Sequence, residues 1–96
     1  MKKTDFFIAV FRDGKPAAQK VSGYYEYAAG LPIGLHKVSE RAWNATELST
    51  GLRLVTEPTR AAALNKAANM AGDVLRLLND DIYAKTKRMI SEAYNN

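Results

Sequence analysis

The chain has 96 residues, which is enough for one domain with a modest core and too few for two. It contains no cysteine and a single histidine, which excludes disulfides and thiol catalysis and argues against a dedicated transition-metal site. Lysine and arginine exceed aspartate and glutamate by 14 − 10 = 4, which permits an anionic partner without requiring one. No stretch is long enough to span a membrane, so we expect a cytoplasmic protein that makes no membrane contact.

The first part of the single domain, residues 1–56, has the composition of a β-rich sheet. Phe, Ile and Val dominate residues 5–11, and the Asp13-Gly14 pair that follows is typical of a two-residue hairpin turn, because both positions need positive φ. A second strand is predicted from about Pro16 to Ala28. The remaining predicted strands, which complete an antiparallel sheet of about five short strands, are Ile33–Val38, Ala42–Leu48 and Leu52–Val55.

The turn between the last two predicted strands determines which side chains share a face. A three-residue loop, Ser49-Thr50-Gly51, pairs Leu48 with Leu52 and Glu47 with Arg53, whereas a two-residue loop mixes the faces. We therefore expect the core side to carry Asn44, Thr46, Leu48, Leu52 and Leu54. The opposite face, with nothing obvious to bury it, then carries Arg41, Trp43, Ala45, Glu47, Arg53 and Val55. The alternative is that Trp43 packs in the core beneath the first or second strand.

Residues 57–96 have the pattern of helices packed on this sheet. A helix is predicted to begin near Pro58, with Thr56 or Glu57 as its cap. Its alanine-rich apolar stripe recurs at three- and four-residue spacing: Ala61, Leu64, Ala68, Ala71, Leu75, Leu78 and Ile82. A capping sequence at Asn79-Asp80-Asp81 predicts a break near residue 79 and a shorter C-terminal helix over Asp81–Tyr94. The other option is one helix roughly 50 Å long, and its leucines would support a homodimer through the C-terminal helical region.

No catalytic or cofactor-binding motif is evident in the sequence. His36 is the only conventional general base, and no nucleophile motif surrounds the nearby Ser39. We interpret His36 as a strand histidine that is solvated or hydrogen-bonded. Neither a phosphate-cradling glycine motif nor a metal-binding motif occurs, and helix capping accounts for Asp80-Asp81. We therefore expect a non-enzymatic protein with no catalytic residue, no metal and no cofactor.

The segment covering residues 33–72 has a recognisable spacing of residues: Gly34-Leu35-His36-Lys37, Trp43-Asn44-Ala45, Gly51, Leu54, Thr56, Ala61-Ala62 and Ala67-Ala68. With these residues the segment resembles the AP2-type DNA-binding domain. In that family three antiparallel strands lie in the DNA major groove and an alanine-rich helix packs on the opposite face, so the resemblance implies this fold and DNA binding. The pattern W-x-x-T-E-x-x-T-G, from Trp43 to Gly51, also resembles small β-β-β-α proteins of phages and mobile elements.

The residues predicted to form a binding site are Lys37, Arg41, Trp43, Glu47 and Arg53. Tryptophan beside arginines supplies a flat apolar platform with bidentate donors, which suits a nucleic acid and also suits a protein hot spot. We expect a small binding protein that engages a macromolecular partner, nucleic acid first, through this strand face. The alternative is a phage- or mobile-element-type inhibitor or adaptor, of the anti-restriction or anti-CRISPR class, that binds a host nucleic-acid-processing protein.

Overall fold

The computed structural model describes residues 3–95 and has an α+β fold. Within these residues, five strands form one antiparallel sheet in chain order: β1 (Thr4–Arg12), β2 (Lys15–Ala28), β3 (Leu31–Ser39), β4 (Ala42–Glu47) and β5 (Leu52–Glu57). The helices that follow are α1 (Arg60–Asn69), α2 (Ala71–Leu78) and α3 (Ala84–Tyr94), with one 3-10 turn, Asp81–Tyr83, before the last. The predicted fold class, the five-stranded sheet and the shorter C-terminal helix are confirmed.

The β1–β2 hairpin forms at the predicted turn. Asp13 and Gly14 adopt φ angles of 53° and 77°, the left-handed values that a type I′ turn requires. β2 then changes partner at Gly23, since its first half pairs with β1 and its second half pairs with β3. A Cβ atom at Gly23 would lie 2.2 Å from the backbone oxygen of Leu35, so only glycine fits where the strand changes partner.

The β1–β2 hairpin folds over one side of the remaining sheet. The Phe6 ring lies against the position where Gly34 lacks a side chain, because a Cβ atom there would be 2.6 Å from a ring carbon. At the far end, the Ala9 amide donates a hydrogen bond of 2.8 Å to the carbonyl of Gly51, which joins β1 to the start of β5. The sheet therefore nearly closes on itself and encloses an inner side that β1 covers.

The opposite side of the sheet forms the main core with α1. Alternate residues of β3 point to this side, as the two-residue period of a strand requires, and the alanines of α1 allow the helix to approach closely. The buried members of this core are Leu31, Ile33, Leu35, Ala45, Ala63, Ala67, Ala71 and Val74. α3 packs separately on β1 and β2, where the Phe7 amide donates to the hydroxyl of Tyr94 at 3.1 Å.

The predicted register between β4 and β5 is wrong. Glu47 pairs with Leu52 instead of Arg53, and Leu54 is an unpaired β-bulge residue between the Thr46–Arg53 and Ala45–Val55 pairs. The loop therefore contains four residues, 48–51. The Glu47 carboxylate accepts hydrogen bonds from the amides of Ser49 and Thr50 and so stabilises this turn. In addition, α1 covers the side that bears Ala45, which was expected to be open, while Thr46 lies on the side that β1 covers.

The helices also differ from the prediction at two points. Thr59 is the N-cap of α1 and accepts a hydrogen bond of 3.1 Å from the Ala62 amide, so the helix begins later than the Thr56 or Glu57 caps predicted. The helical run is interrupted at Met70, which separates α1 from α2. The break near residue 79 is confirmed, with Asn79 ending α2 and the Asp80 carboxylate capping the next turn. No helix within residues 3–95 has the length and apolarity that crossing a membrane requires.

Candidate functional site

The structure brings only part of the predicted site together. Lys37 pairs with Trp43 across β3 and β4, and Arg41 lies exposed in the turn between these strands. Glu47 lies at the other end of β4, and Arg53 lies on the side of the sheet that β1 covers. The expectation that all five residues share one open strand face is therefore wrong, because the bulge at Leu54 reverses the side on which Arg53 lies.

Glu47 is a structural residue of the β4–β5 turn. Its side chain is 1% exposed, and its carboxylate oxygens accept hydrogen bonds of 2.8–3.0 Å from the amide and hydroxyl groups of Ser49 and Thr50. The expected pairing with Arg53 does not form. A carboxylate that already accepts four hydrogen bonds inside a turn has no surface to offer a partner, so Glu47 does not belong to the candidate site.

Trp43 lies at the edge of the core and not on an open face. It is half-buried, packs against the core cluster and lies 6.2 Å from the ring of Tyr24. The guanidinium of Arg60, in the first turn of α1, lies 4.3 Å from the Tyr24 ring centroid and 5.9 Å from that of Trp43. This cation–π arrangement holds an arginine against two aromatic rings.

A cleft of about 290 Å³ opens beside this aromatic pair. It is lined by Lys3, Ser22, Gly23, Tyr24, Lys37 and Trp43. Lys3 and Lys37 are exposed cations. Lys37 forms an ion pair with Glu40 at 3.8 Å, which joins two solvated side chains and so contributes little. The cleft therefore combines aromatic surface with ammonium groups that are available to an anion.

A second cavity, of about 460 Å³, lies between β1 and the inner side of β3–β5. His36 forms part of its wall together with Asn44, Thr46 and Arg53. The His36 side chain is 7% exposed, and its Nδ1 atom is buried with no hydrogen-bond partner in the described part of the chain. The interpretation of His36 as solvated or hydrogen-bonded is thus wrong at this nitrogen. Residues 3–95 contain no cluster of three or more His, Asp or Glu side chains that could hold a metal ion.

Burial of His36 predicts a pH-dependent stability. Desolvation lowers the pKa of this histidine below its ordinary value of 6.5, so the unfolded chain binds the proton more readily than the folded chain. Neutral His36 therefore makes its full contribution to the free energy of unfolding above about pH 6.5, and this contribution is lost as the pH falls below that value. Urea unfolding between about pH 7.5 and about pH 5.5 should show this decline in the wild type. The decline should be smaller in His36→Gln, and an equal decline would contradict the assignment.

Residues outside the predicted set line the cleft at Trp43 or lie over its aromatic rings. Lys3, Tyr24 and Arg60 were not predicted, and the only signal for them was the Tyr24-Tyr25-Glu26-Tyr27 run, which places aromatic rings on both sides of β2. Arg60 has no local sequence signal, because it reaches the rings only through the docking of α1. No family model, curated protein sequence or solved structure matches the chain.

Proposed function

We propose that the protein is a non-enzymatic module that binds nucleic acid through the cleft beside Trp43. The observation that carries this proposal is the placement of Lys3 and Lys37 around a wall formed by Tyr24 and Trp43. Lysine ammonium groups neutralise phosphates, and aromatic rings stack on bases of any sequence. Arg60, held over the same rings, adds positive charge next to this aromatic wall.

The geometry favours a single strand over a duplex. In the AP2-type arrangement, the sheet face opposite the helix lies in the major groove, but here the β1–β2 hairpin covers that face, with Phe6 lying against Gly34. The Trp43 and Tyr24 rings are half-buried beside a small cleft, which an unstacked base can enter and a base pair within a helix cannot. We therefore assign the cleft to an unpaired segment of DNA or RNA.

Charge replacement at Lys37 tests this proposal without disturbing the core. Lys37→Gln should weaken binding of a labelled single-stranded oligonucleotide and reduce the slope of log K against log salt concentration by about 0.7, the value for one phosphate contact on a single strand. The matched control is Lys85→Gln, an exposed lysine on α3. Equal effects of the two variants, or no effect of either, would contradict a phosphate contact at the cleft.

A protein partner is the second candidate function, and exposed tyrosines support it. Tyr25, Tyr27 and Tyr94 are 49%, 66% and 51% exposed. Tyr25 and Tyr94 line a depression of about 410 Å³ together with Pro32, which pairs with Tyr27 across β2 and β3. Tyrosine is enriched in protein interfaces, which is consistent with an inhibitor or adaptor that binds a nucleic-acid-processing protein. Tyr27→Ser should abolish capture of such a partner at high salt while leaving oligonucleotide binding unchanged, and loss of oligonucleotide binding would count against this assignment.

A further inference from the structure

The cavity beside His36 is separate from the cleft at Trp43 and is not used by the proposed function. One wall is the segment 8–11 of β1, and the other is the inner side of β3–β5. Gly51 and Leu52 lie at the end where the two walls meet. With a volume of about 460 Å³, the cavity is within the size range of sites that hold small organic molecules.

The seam between β1 and β5 explains why the cavity is there. The two strands join through the hydrogen bond from the Ala9 amide to the Gly51 carbonyl. Gly51 has a φ angle of 73°, and a Cβ atom at this position would lie 2.7 Å from the Ala9 nitrogen and 2.7 Å from Ile90 Cδ1. The close contact therefore depends on glycine, and it holds β1 and the start of β5 together at one end of the cavity.

The inner wall offers hydrogen-bond donors through Asn44. His36 lines the same wall, but its Nδ1 atom is buried beyond the reach of solvent and therefore of a ligand in the cavity. Since burial lowers the pKa of His36, the imidazole is neutral near pH 7 and adds no charge to the wall. Beside it, Asn44 Oδ1 accepts from the Thr56 hydroxyl at 2.6 Å, which leaves the Asn44 amide hydrogens as donors.

Arg53 supplies the only charge among the residues that line the cavity. Its side chain is exposed and forms no ion pair within residues 3–95. A guanidinium binds a carboxylate through two parallel hydrogen bonds, which makes it the natural anchor for an organic acid. The other side chains of the cavity include Ile8, Val10 and Leu52, which provide an apolar surface for the body of such a molecule.

We propose that this cavity binds a small organic acid that combines a carboxylate, an apolar body and a distal polar group. The carboxylate pairs with Arg53 at the open side. The apolar body lies against Ile8 and Val10, and the distal hydroxyl or amine accepts a hydrogen bond from the Asn44 amide beside His36. The ligand is thus identified by its chemistry: one negative charge at one end, a polar group at the other and hydrocarbon or an aromatic ring between them.

The single histidine makes the test direct, because the imidazole resonances of His36 are the only ones in the NMR spectrum of the full chain. We would titrate the protein with 4-hydroxyphenylacetate, which has the three required features, and with its neutral amide. The acid should cause a saturable shift of the His36 resonances, and the amide should bind about tenfold more weakly. Arg53→Gln should lower the affinity for the acid by about tenfold, whereas Arg88→Gln, on the exposed surface of α3, should leave it unchanged.

The absence of a saturable shift with the acid would show that the cavity holds only solvent and would overturn the proposal. Equal binding of the acid and the amide, or unchanged affinity in Arg53→Gln, would show that the carboxylate does not pair with Arg53 and would also overturn the proposal. The Trp43 cleft serves as an internal check, because emission from the only tryptophan should not change when the acid binds at His36. This result is independent of whether the protein binds nucleic acid.

Discussion

Replacing Glu47 with alanine is expected to lower the free energy of unfolding by about 4 kcal/mol. The carboxylate accepts hydrogen bonds from the amides of Ser49 and Thr50 and from both of their hydroxyls, inside a turn where the side chain is 1% exposed. Hydrogen bonds to a carboxylate contribute about 1.5–3 kcal/mol each, and a buried donor left without an acceptor carries a further cost. Urea denaturation of the two proteins measures the difference.

Two controls separate the hydrogen bonds from the loss of a charge. Glu47→Gln keeps one oxygen acceptor in the turn and is expected to lose about half as much stability as the alanine variant, or roughly 2 kcal/mol. Glu92→Ala removes an exposed carboxylate on α3 and should change stability by less than about 0.5 kcal/mol. If Glu47→Ala were as stable as Glu92→Ala, the assignment of Glu47 to the turn would be wrong.

Replacing Ile90 with alanine is expected to cost about 2–5 kcal/mol, the range for a large buried aliphatic side chain. Ile90 is 2% exposed on α3, and its Cδ1 atom fills the space that Gly51 leaves beside the β1–β5 seam. The variant removes the contact that joins the C-terminal helix to this seam. Thermal unfolding should show the loss as a lower melting temperature.

Leu75→Ala is the matched aliphatic control on α2. The apolar stripe predicts that Leu75 is in the core, but the residue is 40% exposed, and Leu77 and Ile82 are more exposed still. We therefore expect Leu75→Ala to cost less than about 1 kcal/mol in the monomer. A larger loss that grows with protein concentration would show that these leucines contact a second copy of the chain in a homodimer. A loss for Ile90→Ala no greater than that for Leu75→Ala would contradict the packing of α3.

Local signals predicted most of the fold correctly. Asp13-Gly14 marks the hairpin because few other residue pairs adopt two successive positive φ angles, and the structure has them there. The break near residue 79 follows from side chains that cap helices, and Asp80 caps the turn as expected. Signals of this kind depend on one or two residues and their own backbone, so the rest of the chain does not alter them.

The side of the sheet that faces the core was not predictable in the same way. Alternation along β4 leaves two registers open, and the choice depends on the bulge at Leu54 and on the turn that Glu47 caps. A glutamate at the end of a strand usually indicates a solvated position, whereas here four donor groups of Ser49 and Thr50 bind the carboxylate and compensate for its burial. One inserted residue then reverses the side on which Arg53 lies, as a register shift does in any strand.

The candidate site was predictable only where its residues are neighbours within the sheet. Lys37 and Trp43 pair across β3 and β4, so their proximity follows from the strand order. Tyr24 and Arg60 join them through the docking of β2 and α1, which no local pattern encodes. The cavity at His36 was not predicted for the same reason. It forms only when β1 folds over the inner side of the sheet, and no local pattern encodes that arrangement.

The most direct test of the proposed function is the fluorescence of Trp43, the only tryptophan in the chain, during titration with a single-stranded oligonucleotide at low and at physiological salt. The account predicts that emission is quenched on binding, because a base stacks in the cleft beside the ring, and that the affinity falls steeply as salt is raised. A titration that leaves the emission unchanged at low salt, with or without binding seen by another probe, would contradict the assignment of nucleic acid to this cleft.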